Sequence, residues 1–483
     1  MGDVGLYKSW REVPGPRPFP IVGRRGNILK LMLNPVDHLM QAYRRFGGLS
    51  SFVLGRGRPL FYNSEECLGT FFALGSESLR ELTEQSNKLE NREPPGSTSP
   101  SLRRLATNIF FTNGDRHRNL RRILTPSLSR SMFQDYYKSI VSITRERLDT
   151  WDQGDVLNLD SAVNELILFI SSKIFYGCDV NPSRRSLAHM MGDMVSLLFS
   201  PAAMIPIDLP YFPYRRLLRV AEAIERELES EIAKKLEVGC VEPDVLSALV
   251  KLNKEDPDQL TADELVGSAF TTFFAGHDTT AKALTWMLFL LAQHPEVAAA
   301  LFEELDRELG GEPPPIEKVM DLPVLDRVVK ESLRILGPAV FFSREVISPV
   351  VINGYELPAK SEVIYSPYVV HHDPAVYPIP SRFDPDRWLT ISPNKYEYLP
   401  FGVGPRTCLG GNFSSFQLRI IVAMICQRYR LSIVPGSRID LKTTVVIGPK
   451  PALPVRVHRQ DREFQRSPAA VRGYINQMVD LPK

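Results

Sequence analysis

The run Phe401-Gly402-Val403-Gly404-Pro405-Arg406-Thr407-Cys408-Leu409-Gly410-Gly411-Asn412-Phe413 decides how this chain reads. One thiol is framed by glycines at 402, 404, 410 and 411, with an arginine two residues before it. Glycines let a backbone turn tightly, approach a flat partner and aim amide N–H groups back at a sulfur. Arg406 adds a cation that a carboxylate can use. A single cysteine is ordinarily a small buried hydrophobe, and a glycine-rich stretch ordinarily a turn. Their conjunction suits a thiolate bound to iron.

The joint spacing of Phe401, Gly404, Arg406, Cys408 and Gly410 resembles the haem-binding signature of the cytochrome P450 family. The resemblance implies that Cys408 is the axial thiolate and sole protein ligand to iron, that Arg406 pairs with a haem propionate, and that Phe401 packs beside the sulfur. Gly410 belongs to the same cofactor-binding turn. The implied cofactor is haem b (iron protoporphyrin IX), with O2 as co-substrate. Thiolate donation into iron favours O–O cleavage, whereas imidazole favours reversible binding.

Outward from that run, the bulk numbers exclude more than they assign. A chain of 483 residues with 43% hydrophobic and 24% charged residues has ample material for a globular core. A net charge of +2 gives no footprint for nucleic acid. The five cysteines, at 67, 178, 240, 408 and 426, form no C-x-x-C or zinc spacing, which fits a reducing, cytoplasmic setting without disulfides. The first ten residues lack the roughly 20 apolar residues of a membrane span and the core of a signal peptide. A soluble protein without a transmembrane anchor is therefore expected, with peripheral membrane contact left open. The stretch 14–23 is stiff and extended by its prolines. Family resemblance divides the chain into a lead at 1–23, a haem domain at 24–458, and an extension at 459–483 of unassigned role.

Apolar periodicity predicts helices over 139–151, 217–238 and 262–293. Shorter strand signals lie at 49–62, 345–352, 362–369 and 455–458, too few for a large sheet. Prolines concentrate after residue 310 and predict long irregular loops there. The expected fold is mainly α with a small β region, in agreement with the single P450 domain that the resemblance implies.

Thr261-Ala262-Asp263-Glu264 has the form of a capping box and opens a helix running to Pro295. Ser268, Thr271, Thr272, Ala275 and Thr279 fall near one face, small and largely hydroxylated, while Phe270, Phe273 and Phe274 lie to the other side. The segment Ala275-Gly276-His277-Asp278-Thr279-Thr280 resembles the family's oxygen-activating motif. That likeness gives Asp278 and Thr279 the catalytic role of proton delivery and sets Ala275 beside the cofactor. Alternatively, Thr279 bonds back to a helix carbonyl and Asp278 joins a salt bridge. His277 points away from this face.

Glu331 and Arg334 share one helix face at i,i+3 spacing. The family has an E-x-x-R helix locked by an arginine from a downstream P-E-R-F-like loop. Pro385-Asp386-Arg387-Trp388 occupies that place, so the resemblance assigns Glu331, Arg334 and Arg387 to a structural network, with Arg382 as a rival that falls too early. It also makes Arg344, His117 and Arg121 propionate partners, His117 standing where the family commonly has tryptophan. Residues 101–130 hold seven arginines against one acid, Asp115, which reads as a solvated face or as a docking patch for an acidic electron carrier.

The activity implied is insertion of one atom of O2 into a lipophilic small molecule, by hydroxylation or epoxidation. NAD(P)H electrons would arrive through a ferredoxin with its reductase or a flavoprotein reductase, since no dinucleotide fingerprint is present. A monomer is expected. Ser268, Thr272, Ala275, Phe341, Phe342 and Ile447 are pocket candidates by family analogy, within segments that include 92–111 and 445–448. The rivals are a haem-thiolate isomerase or dehydratase working without O2, and a haem-binding sensor or carrier.

Overall fold

The computed structural model describes residues 7–17, 25–94, 99–179, 187–198, 207–240, 242–443 and 446–482. Parts of the proline-rich lead (18–23), of the 92–111 loop (95–98), of the 445–448 segment (Val445) and of the extension (Lys483) lie outside the described residues. Helices dominate. The elements that place the site are β1 (Leu49–Gly57), β2 (Cys67–Ala73), β3 (Leu89–Glu90), α1 (Gly114–Leu124), α2 (Phe133–Leu148), α3 (Leu159–Tyr176), α4 (Ala262–Gln293), α5 (Pro323–Ile335), β4 (Phe342–Val346), β5 (Ser361–Tyr365) and α6 (Gly411–Arg428).

The long helix α4 starts where its capping box predicts. The Thr261 hydroxyl accepts from the Glu264 amide, and the Glu264 carboxylate accepts from the Thr261 amide. Most of α4 is buried, against α3 along one side and against the Pro100–Ala106 helix near its start. Gly267 permits the second approach, since a Cβ there would lie 2.1 Å from the Thr107 carbonyl oxygen. Gly276 does the same for α3: its Cβ would meet Phe175 at 2.6 Å.

The largest sheet among the described residues has five strands in the order β1-β2-β5-β4-β3. Its β2–β5 pair is parallel and the others are antiparallel. One face carries Phe72 and Ile364 into the main helical core, while Phe71 and Val363 pack in a second cluster on the opposite face. The strand expected at 345–352 is broken into Phe342–Val346 and Val350–Ile352. That expected at 362–369 stops at Tyr365. The Ser366 hydroxyl accepts from the Val369 amide and Pro367 opens a short helix, Pro367–His371, so N-cap chemistry overrides β propensity there.

The extension is integral to the packing. Ile475, Met478 and Val479 are buried in the main core. Gln293, at the end of α4, exchanges side-chain hydrogen bonds with both backbone groups of Ala469. Asp480 bonds Ser381 through its backbone amide and its carboxylate. The Tyr474 side chain is hydrogen-bonded to Asn34, which caps the Pro35–Phe46 helix.

Candidate active site

Cys408 lies just ahead of α6, whose N-cap is Gly410. Its amide donates to the Phe401 carbonyl at 2.8 Å, closing the glycine-rich run into a loop; Gly402 and Gly404 occupy the positive-φ positions. The thiol is open to solvent yet walled by protein on most sides, as at the floor of a recess. Burial pushes its pKa up, while a hydrogen bond from the Gly410 backbone and the nearby Arg121 cation push it down. The positive end of α6 acts in the same direction as these two.

A group of cations surrounds the recess. Arg121 of α1 donates to the Thr407 carbonyl at 2.7 Å, so α1 is tied to the residue before the thiol. Arg406 grips the carbonyls of Ile109, Phe110 and Thr112 and the Asn113 side chain. Arg344 donates to the Tyr365 hydroxyl at 2.8 Å. Burial and neighbouring cations act together on two of these groups, Arg406 and His117. Burial, then Arg344 and Arg121, lowers Arg406 to about 10. Burial, then Arg406, Arg121 and Arg344, brings His117 down to about 4. None of the three arginines has a carboxylate partner among the described residues. Such a cluster has unmatched positive charge.

Helix α4 reaches this region through the Thr280 and Ser414 hydroxyls, 3.4 Å apart, the latter in the first turn of α6. In the middle of this mostly buried helix, residues 274–279 and Thr272 are partly accessible, which marks an opening there. The Thr279 hydroxyl donates to the Ala275 carbonyl at 2.6 Å. Asp278 lies 4.0 Å from Lys282. His277 turns away, its ring stacked on Phe273 and its Nε2 3.2 Å from the Asn164 carbonyl oxygen on α3.

Of the pocket candidates, Thr272, Ala275, Phe341 and Phe342 are partly accessible. Ser268 and Ile447 are 0% exposed and line no opening; the Ile447 carbonyl is taken by Trp286. Phe342 stacks on Tyr365, its cross-strand partner, with part of its surface left accessible. The Ser268 and Thr271 hydroxyls are buried without a hydrogen-bond partner among the described residues.

Glu331 receives both forks of the expected network. Arg334 donates to its two oxygens at 2.9 and 2.8 Å, and Arg387 Nε to Oε1 at 2.9 Å. Trp388 Nε1 and the Asp384 amide also donate to it. Arg382 contributes only its carbonyl, which accepts from both guanidinium groups. The basic stretch at 101–130 is more neutral than its composition suggests. Arg104 pairs with Glu225, Glu229 and Asp263, Arg116 with Glu264, and Arg118 with Asp115.

A family model described as Cytochrome P450 matches residues 13–454. The chain belongs to the cytochrome P450 family. Haem and iron binding characterise P450s, and the chain is an enzyme of the P450 monooxygenase class. It is 30% identical to cyclooctatin synthase of Streptomyces melanosporofaciens over 89% of this chain and 92% of that one. It is 27% identical to lanosterol 14-alpha demethylase of Bos taurus over 89% and 84% of the two chains. The structure superposes on a retinoic acid-bound cyanobacterial CYP120A1 with a TM-score of 0.78 and 25% identity, covering 92% of this P450 and 99% of that one. Among the described residues no single helix is long and apolar enough to cross a membrane.

The residues of this P450 fit haem. A recessed thiol with an amide aimed at it matches an axial ligand, and three half-buried arginines without a carboxylate partner among the described residues match a planar group with two carboxylates.

Proposed function

We propose that this P450 hydroxylates or epoxidises a lipophilic isoprenoid, a terpenoid or sterol, drawing electrons from a separate ferredoxin-type or flavoprotein partner. The observation that carries the reading is the recessed Cys408 thiol among arginines that have no carboxylate partner among the described residues, just ahead of α6, whose Ser414 meets α4 at Thr280 beside its accessible band. The relatives support the substrate class: two act on or toward cyclooctatin and lanosterol by name, and the structural neighbour binds retinoic acid.

In this reading Cys408 ligates iron, with Phe401 and Gly410 shaping the turn around its sulfur. Arg121, Arg344 and Arg406 hold the haem carboxylates, and neutral His117 donates one hydrogen bond to them. When bound, haem supplies the iron at which O2 is reduced and cleaved, so that R–H, O2, two electrons and two protons give R–OH and H2O. Thr279, its own proton committed to Ala275, presents oxygen lone pairs as an acceptor that orients an incoming proton donor. Asp278 recharges that donor from solvent. Thr272, Ala275 and Phe341 contact the substrate. The exposed Arg122 and Arg130, which make no ion pair among the described residues, attract an acidic electron carrier.

The test is the carbon monoxide difference spectrum of the dithionite-reduced protein and of Cys408→Ser. A red-shifted Soret band in the first alone supports thiolate ligation; an unshifted band in native protein overturns it. Turnover of terpene and sterol panels with NAD(P)H and surrogate reductases then checks the substrate class. Redox-independent rearrangement would favour an isomerase.

A further inference from the structure

Glu362 is 0% exposed and has no part in the chemistry above. It lies in β5 opposite Thr70 of β2 on one side and Glu345 of β4 on the other. Alternation along β5 puts it on the face of Ile364, toward the main core, and away from Val363. A carboxylate in that position is costly unless every lone pair is used. Four donors use them: the Leu60 amide and Thr70 hydroxyl on Oε2 at 3.0 and 2.8 Å, the Phe61 amide and Ser343 hydroxyl on Oε1 at 3.0 Å each. The adjacent Arg92 pairs with Glu90 and Glu345 and not with Glu362.

What this carboxylate joins is specific. Oε1 binds the backbone of Phe61, in the loop after β1, and the side chain of Ser343, two residues beyond Phe341. The rings of Phe61 and Phe341 stand 5.0 Å apart at 58°, and both are partly accessible while packing on the main core. Two segments remote in sequence therefore present one aromatic surface, and Glu362 sits behind it. A helix cap or strand ladder would satisfy these donors without a buried charge. Here the carboxylate clamps a loop to a strand at the point where both carry a phenylalanine.

We infer that Phe61 forms, with Phe341, an aromatic wall of the substrate pocket, and that Glu362 is the positioning residue that sets this wall by holding the Phe61 amide and the Ser343 hydroxyl together. This rests on the haem-pocket reading under Proposed function. Such a wall selects long or flat apolar skeletons over compact ones.

The test uses the haem-loaded protein, titrated with imidazole and with 1-dodecylimidazole and read by the Soret shift. Both probes bring the same nitrogen to iron, and only the second has a tail to meet the wall. Phe61→Ala is expected to weaken 1-dodecylimidazole by about tenfold while leaving imidazole within about twofold. Glu362→Gln is expected to weaken the tailed probe selectively, and Phe61→Ala/Glu362→Gln to be no weaker than Phe61→Ala alone, because the two act on one element. Ser343→Ala, which removes one of the four donors, replaces Glu362→Gln if that variant does not fold. Unchanged tailed-probe affinity in Phe61→Ala, equal losses for both probes, or additive losses in the double variant would overturn the wall. A native protein that shows no Soret response to imidazole would instead sink the haem reading beneath it.

Discussion

Asp278 stands 4.0 Å from the Lys282 ammonium, which both oxygens of Asp160 already hold at 2.7 and 2.9 Å. One cation is thus shared unequally between the start of α3 and the middle of α4. The Lys282 stem is threaded past Gly448, where a Cβ would come within 2.9 Å of it, so the side chain has little freedom to leave. With Lys282 committed to Asp160, Asp278 holds the weaker contact with that ammonium and keeps its oxygens free for other partners.

Asp160→Asn should release Lys282 to pair closely with Asp278 and occupy the oxygens that would serve a proton path. The expected result is a fall in kcat of roughly tenfold, with substrate affinity unchanged and more NAD(P)H consumed per product. Product formed per NAD(P)H checks this; an unaltered ratio with unaltered kcat would separate Asp278 from proton delivery.

Removing Arg387 leaves Glu331 with one of its two guanidinium partners in a fully enclosed site. Arg387→Ala is expected to cost about 3–5 kcal/mol, and Arg387→Lys to recover only part of that, because an ammonium cannot reproduce the fork that also binds the carbonyls of Pro378 and Arg382. Denaturant melts of the two variants measure it.

Ile475→Ala tests whether the extension belongs to the core. The side chain is fully buried, and the expected loss is about 2–5 kcal/mol, read as a lowered Tm. A surface tail would show no change.

His117 sets a pH dependence with a definite sign. Its pKa is about 4 in the fold, against roughly 6.5 unfolded. Between these values the unfolded chain binds the extra proton, so the contribution is fully present above the higher value and is lost as pH falls toward the lower. The slope reaches about 1.4 kcal/mol per pH unit for this one group. Haem-free protein should therefore lose less Tm between pH 6.5 and 4 as His117→Asn than as wild type. Bound haem carboxylates raise the His117 pKa and narrow that difference.

Charge reversal at Arg122 and Arg130 should slow electron delivery from an acidic carrier, and added salt should shrink the difference from wild type. Stopped-flow reduction at two ionic strengths decides it. Equal rates at low salt would place docking elsewhere.

Local signals were readable in the sequence, and remote pairings were not. The capping box at Thr261 and Glu264 located α4 to the residue, because both of its hydrogen bonds are local. Arg387 could be placed ahead of Arg382 from motif spacing. By contrast, the basic stretch overstated its surface charge because Glu225, Glu229 and Glu264 neutralise it from more than a hundred residues away. Glu362 went unnoticed because a charged residue in a short β-branched run reads as the solvent face. Only the pairing of β2, β5 and β4 turns it inward. Ile447 and Ser268 are enclosed for a related reason: their own stretches do not record what covers them.

The extension also has a consequence in time. Tyr474 meets Asn34 at the start of the Pro35–Phe46 helix, and Ile475, Met478 and Val479 complete the core that early helices begin. At about 5–20 residues per second, tens of seconds of synthesis separate those partners. The nascent chain must hold an unfinished hydrophobic core through that interval, so its yield in a cell should depend on chaperone capacity more than on the stability of the finished molecule.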